Sequence, residues 1–167
     1  MNFQQDFAWQ TKFYPSIKKI LRDNAAKLVS ITVASAEEDM RHATDFVASI
    51  KGGTIAVRIR RNVANTYKDL TIRSKRPNGH ETELQKIKNG FADFYLYVWT
   101  ANDEILDWWL VDIGRMRACG LFEKPRPERE NKDKSSAFVW FVKSELQKVD
   151  ALVAESVNVP VLQAVSA

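Results

Sequence analysis

The chain has 167 residues, of which 45% are hydrophobic and 28% charged, and its formal net charge is +4. This length and composition fit one globular domain and exclude wholesale disorder. Cys119 is the one cysteine, which excludes a disulfide framework and a cysteine-rich zinc site and fits a reducing, cytoplasmic location. The sequence has no apolar run of 18 residues, so we expect no membrane partner.

The first predicted elements alternate between helix and strand. Apolar residues at helical spacing predict a helix over residues 15–24, and alternating apolar residues predict a strand over 28–33. Residues 36–43 are polar and predict one or two helical turns. A second strand is predicted over residues 44–48.

The clearest strand signal covers residues 54–61, after a glycine turn at residues 51–53. Because strand side chains alternate between two faces, one face is apolar and the other carries arginines. The apolar face consists of Ile55, Val57 and Ile59, and the opposite face of Ala56, Arg58 and Arg60.

The middle of the chain predicts a strand over residues 69–74, a helix over 81–89 and a buried strand over 94–99. A strand over residues 107–113 follows. Gly90 is placed to end the helix, since glycine adopts positive φ readily at this position.

The C-terminal part begins with a charged, proline-broken loop at residues 123–134. A strand over residues 137–142, a helix over 143–153 and a tail from about residue 156 follow. The order of elements predicts a single α+β (or α/β) domain over residues 1–167, with a mixed central sheet flanked by helices.

The positive charge is concentrated in one window. Residues 51–76 contain eight basic side chains and one acid, a net charge of +7, and the remaining chain sums to −3. An acidic cluster at residues 37–45 precedes it, and this pattern favours a polyanion held beside carboxylates. The alternative is a solvated basic hairpin that only aids solubility.

Asp45 near the start of one strand, followed by Arg58-Ile59-Arg60 on the next, resembles the pattern of the PD-(D/E)XK nuclease superfamily. The helix at 81–89 and the strand at 94–99 would complete the core, so the resemblance covers about residues 13–100. It implies a restriction-endonuclease-like core, phosphodiester hydrolysis and nucleic acid as substrate.

The sequence departs from the superfamily motif at the third strand. Arg58 stands where the superfamily has an acidic ligand, and Arg60 where it has a lysine. Arginine can stabilise a phosphate but cannot bind a metal or readily act as a base. Whether the protein is an enzyme therefore stays open at this point.

The resemblance implies that carboxylates elsewhere would bind Mg²⁺ or Mn²⁺, if the protein is catalytic. Asp45 and Glu83 are the candidate ligands together with Glu38, or Asp39 in its place. Lys86, one helical turn after Glu83, or Arg60 would be the cation that faces the reacting phosphate.

Each of these residues also has an ordinary structural interpretation. Asp45 can simply satisfy a turn, and Glu83 with Lys86 can form a surface ion pair. Arg58 and Arg60 can lie on the solvent face of an edge strand. The aromatic residues can stack on bases, but a small α+β core needs most of them; they are Tyr95, Tyr97, Trp99, Trp108, Trp109 and Trp140.

Three functional hypotheses remain. The first is a magnesium-dependent nuclease, and the second is a non-catalytic protein with a nuclease-like fold that binds DNA or RNA. The third is a protein-interaction module with a basic hairpin, and a homodimer stays open in each case. In the first two, the predicted backbone contacts are Arg58, Arg61, Lys68, Arg73, Lys75 and Arg76.

Overall fold

The computed structural model describes residues 3–24, 28–35, 37, 46–50, 53–61, 68–76, 79–132 and 134–156. They form an α+β fold with a six-stranded sheet and a three-stranded sheet. Within these ranges, every helix is too short or too polar to cross a bilayer.

The elements follow one another in three groups. The first consists of α1 (Phe3–Thr11), α2 (Tyr14–Asn24), β1 (Leu28–Val33), β2 (Phe46–Ile50) and β3 (Gly53–Arg61). The second consists of β4 (Asp69–Lys75), α3 (Glu83–Lys88), β5 (Phe94–Ala101) and β6 (Glu104–Asp112). The third consists of α4 (Ile113–Ala118), β7 (Arg129–Glu130), β8 (Ala137–Val142), α5 (Lys143–Lys148) and β9 (Leu152–Glu155).

The large sheet has the strand order β1-β2-β3-β5-β6-β9. Strands β3 and β5 are parallel, and the other neighbours are antiparallel. One face of this sheet packs against α1 and α2, where Ile17 and Leu21 meet Ile55, Val57 and Ile59. The predicted alternation of β3 is therefore confirmed, and Arg58 and Arg60 lie on the opposite face.

The small sheet, β4-β8-β7, provides the second half of the core. Leu70 and Ile72 of β4 and Phe141 of β8 are fully buried in a cluster with Tyr95 and Trp109 of the large sheet. The chain leaves the large sheet after β3 and returns to it at β5. Between these two strands, β4 pairs with β8 in the small sheet, which is a different layer. This crossover brings the basic residues of β4 toward those of β3.

The structure differs most from the prediction at the two ends of the chain. The predicted helix over residues 143–153 ends at Lys148, because Asp150 has a φ of 54° and the Ala151 amide donates to the Leu146 carbonyl. Residues 152–155 instead form β9, the outer strand beside β6. Helix α1 was not predicted, because its apolar residues lack a regular helical spacing.

The charged loop at 123–134 is held to the small sheet. Strand β7 lies within it and pairs with β8. Arg126 lies 3.0 Å from Glu145, donates to the Trp140 carbonyl and stacks on Phe141. The tail from residue 157, turn residues 51 and 52, and most of the predicted segment at 36–43 lie outside the described residues.

Candidate nucleic-acid interface

Four arginines converge where β3 faces β4. Arg58 and Arg60 extend from β3, Arg73 extends from β4, and Arg76 directly follows β4. Each is partly buried. Burial lowers the pKa of Arg73, and the charges of its neighbours lower it further, namely those of Arg58, Arg76 and Arg60. We call these four residues the arginine cluster.

Glu83 is the acidic counterpart of the arginine cluster and is 1% exposed. Thr82 caps α3 by accepting a hydrogen bond from the Gln85 amide, which fixes Glu83 in the first turn. One carboxylate oxygen accepts a hydrogen bond from the Tyr95 hydroxyl. The other accepts from the Arg73 backbone amide at 3.2 Å and lies 3.8 Å from Nη2 of Arg60.

These contacts keep Glu83 ionised. Burial raises the pKa of its carboxyl group, but the charges of Arg58 and Arg60 and the two hydrogen bonds outweigh this effect and hold the pKa below its ordinary value. Burial and the negative charge of Glu83 also raise the pKa of Tyr95, so Tyr95 stays a neutral donor. Glu83 therefore neutralises part of the arginine charge.

The formal charges of the arginine cluster and Glu83 sum to +3, from four guanidinium groups and one carboxylate. The buried Nε atoms of Arg73 and Arg76 have no hydrogen-bond partner in the part of the chain that the structure describes. Because an unsatisfied buried donor is unfavourable, an anion that supplies acceptor atoms would stabilise this arrangement.

The structure excludes two of the ordinary interpretations. Strand β3 lies between β2 and β5, so Arg58 and Arg60 are not on an edge strand. Glu83 and Lys86 are both buried, so they do not form a surface ion pair. The role of Lys86 as a phosphate-facing cation stays a prediction.

The other predicted backbone contacts lie apart from the arginine cluster, and each pairs with an acid. The ion pairs are Arg61 with Asp6 at 3.2 Å, Lys68 with Asp107 at 3.8 Å and Lys75 with Glu130 at 3.5 Å. The Arg61 guanidinium also lies 3.9 Å from the ring centroid of Trp9, so it ties α1 to β3. These three ion pairs lie at exposed or partly exposed positions, so each contributes little to the stability of the fold.

The predicted metal ligands are only partly described. Asp45, Glu38 and the alternative Asp39 lie outside the described residues. Among the described residues, no three His, Cys, Asp or Glu side chains are grouped to hold a metal. The surroundings of Glu83 do not fit a Mg²⁺ or Mn²⁺ ligand, because both its oxygens already accept hydrogen bonds and the nearby charges would repel a divalent cation.

Most of the aromatic residues belong to the core, as the structural interpretation predicted. Tyr95 and Trp109 are buried in the cluster between the sheets, and Trp108 packs against the cluster beneath α1 and α2. Tyr97 and Trp99 are also buried, in contact at a ring-centroid distance of 4.8 Å. Trp140 differs, since it belongs to neither of these two core clusters.

The sequence could not reveal that Tyr95 binds Glu83, because the pattern of β5 shows only a run of buried aromatic and apolar residues. The one signal for the arginine cluster was the high positive charge of residues 51–76. That signal did not distinguish the arginines in and directly after β4 that lie near β3, Arg73 and Arg76, from the neighbouring lysines. Lys68 and Lys75 pair with acids elsewhere.

Comparisons with known proteins do not identify the site. No family model matches the sequence, and no curated protein matches it significantly. The crystal structure of MepB is similar over 77% of this chain and 78% of that chain, with 12% sequence identity and a TM-score of 0.36. This likeness does not indicate a function for the chain.

Proposed function

We propose that this protein binds nucleic acid through the phosphates of the backbone. The observation that carries the proposal is the arginine cluster, in which the charges of three arginines act on Arg73 and the buried Glu83 carboxylate lies beside Arg60. Guanidinium groups match phosphate oxygens in shape and stay charged even when partly buried. A nucleic-acid strand is a partner of matching chemistry, because it presents one negative charge per nucleotide.

We expect the affinity for an oligonucleotide to fall steeply as salt rises. Each neutralised phosphate releases counterions, so four arginine contacts give a slope of log K against log salt of about −3 to −4. Fluorescence anisotropy of a labelled oligonucleotide between 50 and 200 mM salt, about the range where such slopes are measured, checks this. A flat response would contradict the proposal and favour the protein-interaction module.

A metal-dependent nuclease is the second candidate function, and the order of elements supports it. Helix α2, strands β1 to β3, helix α3 and strand β5 follow the order that the PD-(D/E)XK resemblance implies, with β4 inserted. Phe46, the residue after Asp45, pairs with Val57, the residue before Arg58. Since Glu83 does not fit a divalent cation, a Mg²⁺ or Mn²⁺ site would depend on Asp45 and Glu38.

The nuclease candidate predicts that Mg²⁺ raises the melting temperature of the wild type and that Asp45→Asn abolishes this rise. A ligand that binds only the folded state stabilises it by an amount that grows with the ratio of the ligand concentration to its dissociation constant. Asn at position 45 lacks the negative charge that attracts the cation, so this stabilisation should be lost. Differential scanning fluorimetry with Mg²⁺, Mn²⁺ or EDTA, paired with a plasmid cleavage assay, measures both effects.

Asp93→Asn is the control for this experiment, because Asp93 is an exposed carboxylate that accepts a hydrogen bond from the Thr54 amide at the start of β3. It should keep the metal response of the wild type. Equal responses of the wild type and Asp45→Asn to metal would contradict the nuclease candidate and leave the binding function.

A further inference from the structure

A solvent-open cleft of about 440 Å³ lies between the two sheets, beside the arginine cluster. This volume is in the range of sites that bind small molecules or parts of larger ligands. Its apolar lining is aromatic and comes from both sheets, with Tyr97 and Trp99 from β5 and Phe138 and Trp140 from β8. Tyr97 and Trp99 are buried, so the exposed aromatic surface of the cleft is mainly that of Phe138 and Trp140, on which a planar ring can stack.

Arg60 belongs to both the cleft and the arginine cluster. Its guanidinium carbon lies 5.9 Å from the ring centroids of Tyr97 and Phe138, and its Nε donates to the Tyr97 hydroxyl at 3.2 Å. Its Nη2 lies 3.8 Å from Glu83. A phosphate bound to the arginine cluster and a ring bound in the cleft would therefore lie within the reach of one side chain.

The β8 wall of the cleft is partly accessible, and polar groups lie beside it. Phe138 and Trp140 are only partly buried, and the Arg129 guanidinium lies 4.4 Å from the ring centroid of Trp140, so a base would stack on the ring surface that Arg129 leaves exposed. Asp69 and Thr71 of β4 line the same cleft and share a hydrogen bond of 2.9 Å. The remaining acceptor positions of Asp69 can bind the amino or imino groups on the edge of a base.

We propose that this cleft binds an unpaired base of a single-stranded nucleic acid whose phosphates occupy the arginine cluster. The inference rests on the proposed nucleic-acid binding and names the form of the ligand. Aromatic side chains beside a basic groove bind single strands, because every base has a face that stacks. Bases in a duplex are already paired and stacked, and a base would have to leave the helix to enter the cleft.

The test compares three ligands of equal length on the full chain: a thymidine 12-mer, an abasic 12-mer with the same phosphates, and a duplex. Base stacking predicts that the wild type binds the thymidine strand about 10-fold more tightly than the abasic strand. Trp140→Leu should reduce binding of the thymidine strand to the abasic level and leave abasic binding unchanged. Trp108→Leu is the matched control, because Trp108 is also partly buried but packs on the opposite face of the large sheet.

The outcomes separate this inference from the proposed function. If the wild type binds the thymidine and abasic strands equally, with a steep salt dependence, the base-binding inference is overturned and phosphate binding stands. If the wild type binds neither strand, the proposed function itself fails. The comparison of thymidine and abasic strands uses only the wild type, so it tests the base-binding inference even if Trp140→Leu fails to fold. In that case Phe138→Leu replaces the Trp140 variant.

Discussion

Replacing Glu83 with Gln is expected to lower the free energy of unfolding by about 3 kcal/mol, since removing one member of a buried charge network leaves its partners uncompensated. The shape is preserved, but Gln has a single acceptor oxygen, so only one of the Tyr95 hydroxyl and the Arg73 amide keeps its acceptor. The arginine cluster also gains one net positive charge. Urea denaturation followed by circular dichroism measures the effect. Glu81→Gln is the control, because Glu81 is exposed and its change should stay within about 0.5 kcal/mol.

The pH dependence of unfolding in the wild type and in Glu83→Gln tests whether the charge of Glu83 causes this loss of stability. The pKa of Glu83 is lower in the folded protein than its ordinary value of about 4.3 in the unfolded chain. Its contribution to stability is therefore complete above about pH 4.3 and is lost as the pH falls through the lower pKa of the folded state. The difference in unfolding free energy between the wild type and Glu83→Gln should narrow from pH 7 toward pH 3. A constant difference would contradict the assignment of Glu83 as an ionised counter-charge.

Replacing Arg73 and Arg76 together with Gln is expected to weaken oligonucleotide binding about 100-fold at moderate salt, from the loss of two charge-assisted contacts. The salt slope should also become shallower by about 2, since two fewer counterions are released. The free energy of unfolding should stay the same or rise, because the charges of neighbouring arginines disfavour a charged Arg73. Anisotropy titrations and urea denaturation measure the two effects on the same samples.

The matched control is Lys18→Gln with Arg22→Gln, which removes the same charge from exposed positions on α2. Helix α2 packs on the face of the large sheet opposite the arginine cluster. If the control weakens binding as much as the Arg73 and Arg76 variant does, net charge rather than the arginine cluster controls affinity. If the cluster variant loses stability instead, Arg73 and Arg76 are structural.

The strands that form locally could be predicted from the sequence, and their partners could not. The alternation in β3 showed that Arg58 and Arg60 share a face, because the two-residue period of a strand is visible in the sequence. The pairing of β4 with β8 joins Leu70 to Phe141, residues far apart along the chain. No local pattern encodes such a contact, so the approach of Arg73 to Arg58 was not predictable. The end of α5 was missed for a related reason, since β9 is stabilised by its pairing with β6.

We expect the crossover between β3 and β5 to delay the formation of the arginine cluster during folding. The hairpins of the large sheet join neighbouring segments, whereas β4 can join its partner only after β8 has been brought back from much later in the chain. Closing such a long loop is entropically unfavourable and slows the formation of non-local contacts. The repulsion among the guanidinium groups therefore opposes a late step, the docking of the small sheet. Salt or a bound polyanion, which screens that repulsion, would accelerate the final stage of folding more than the early collapse.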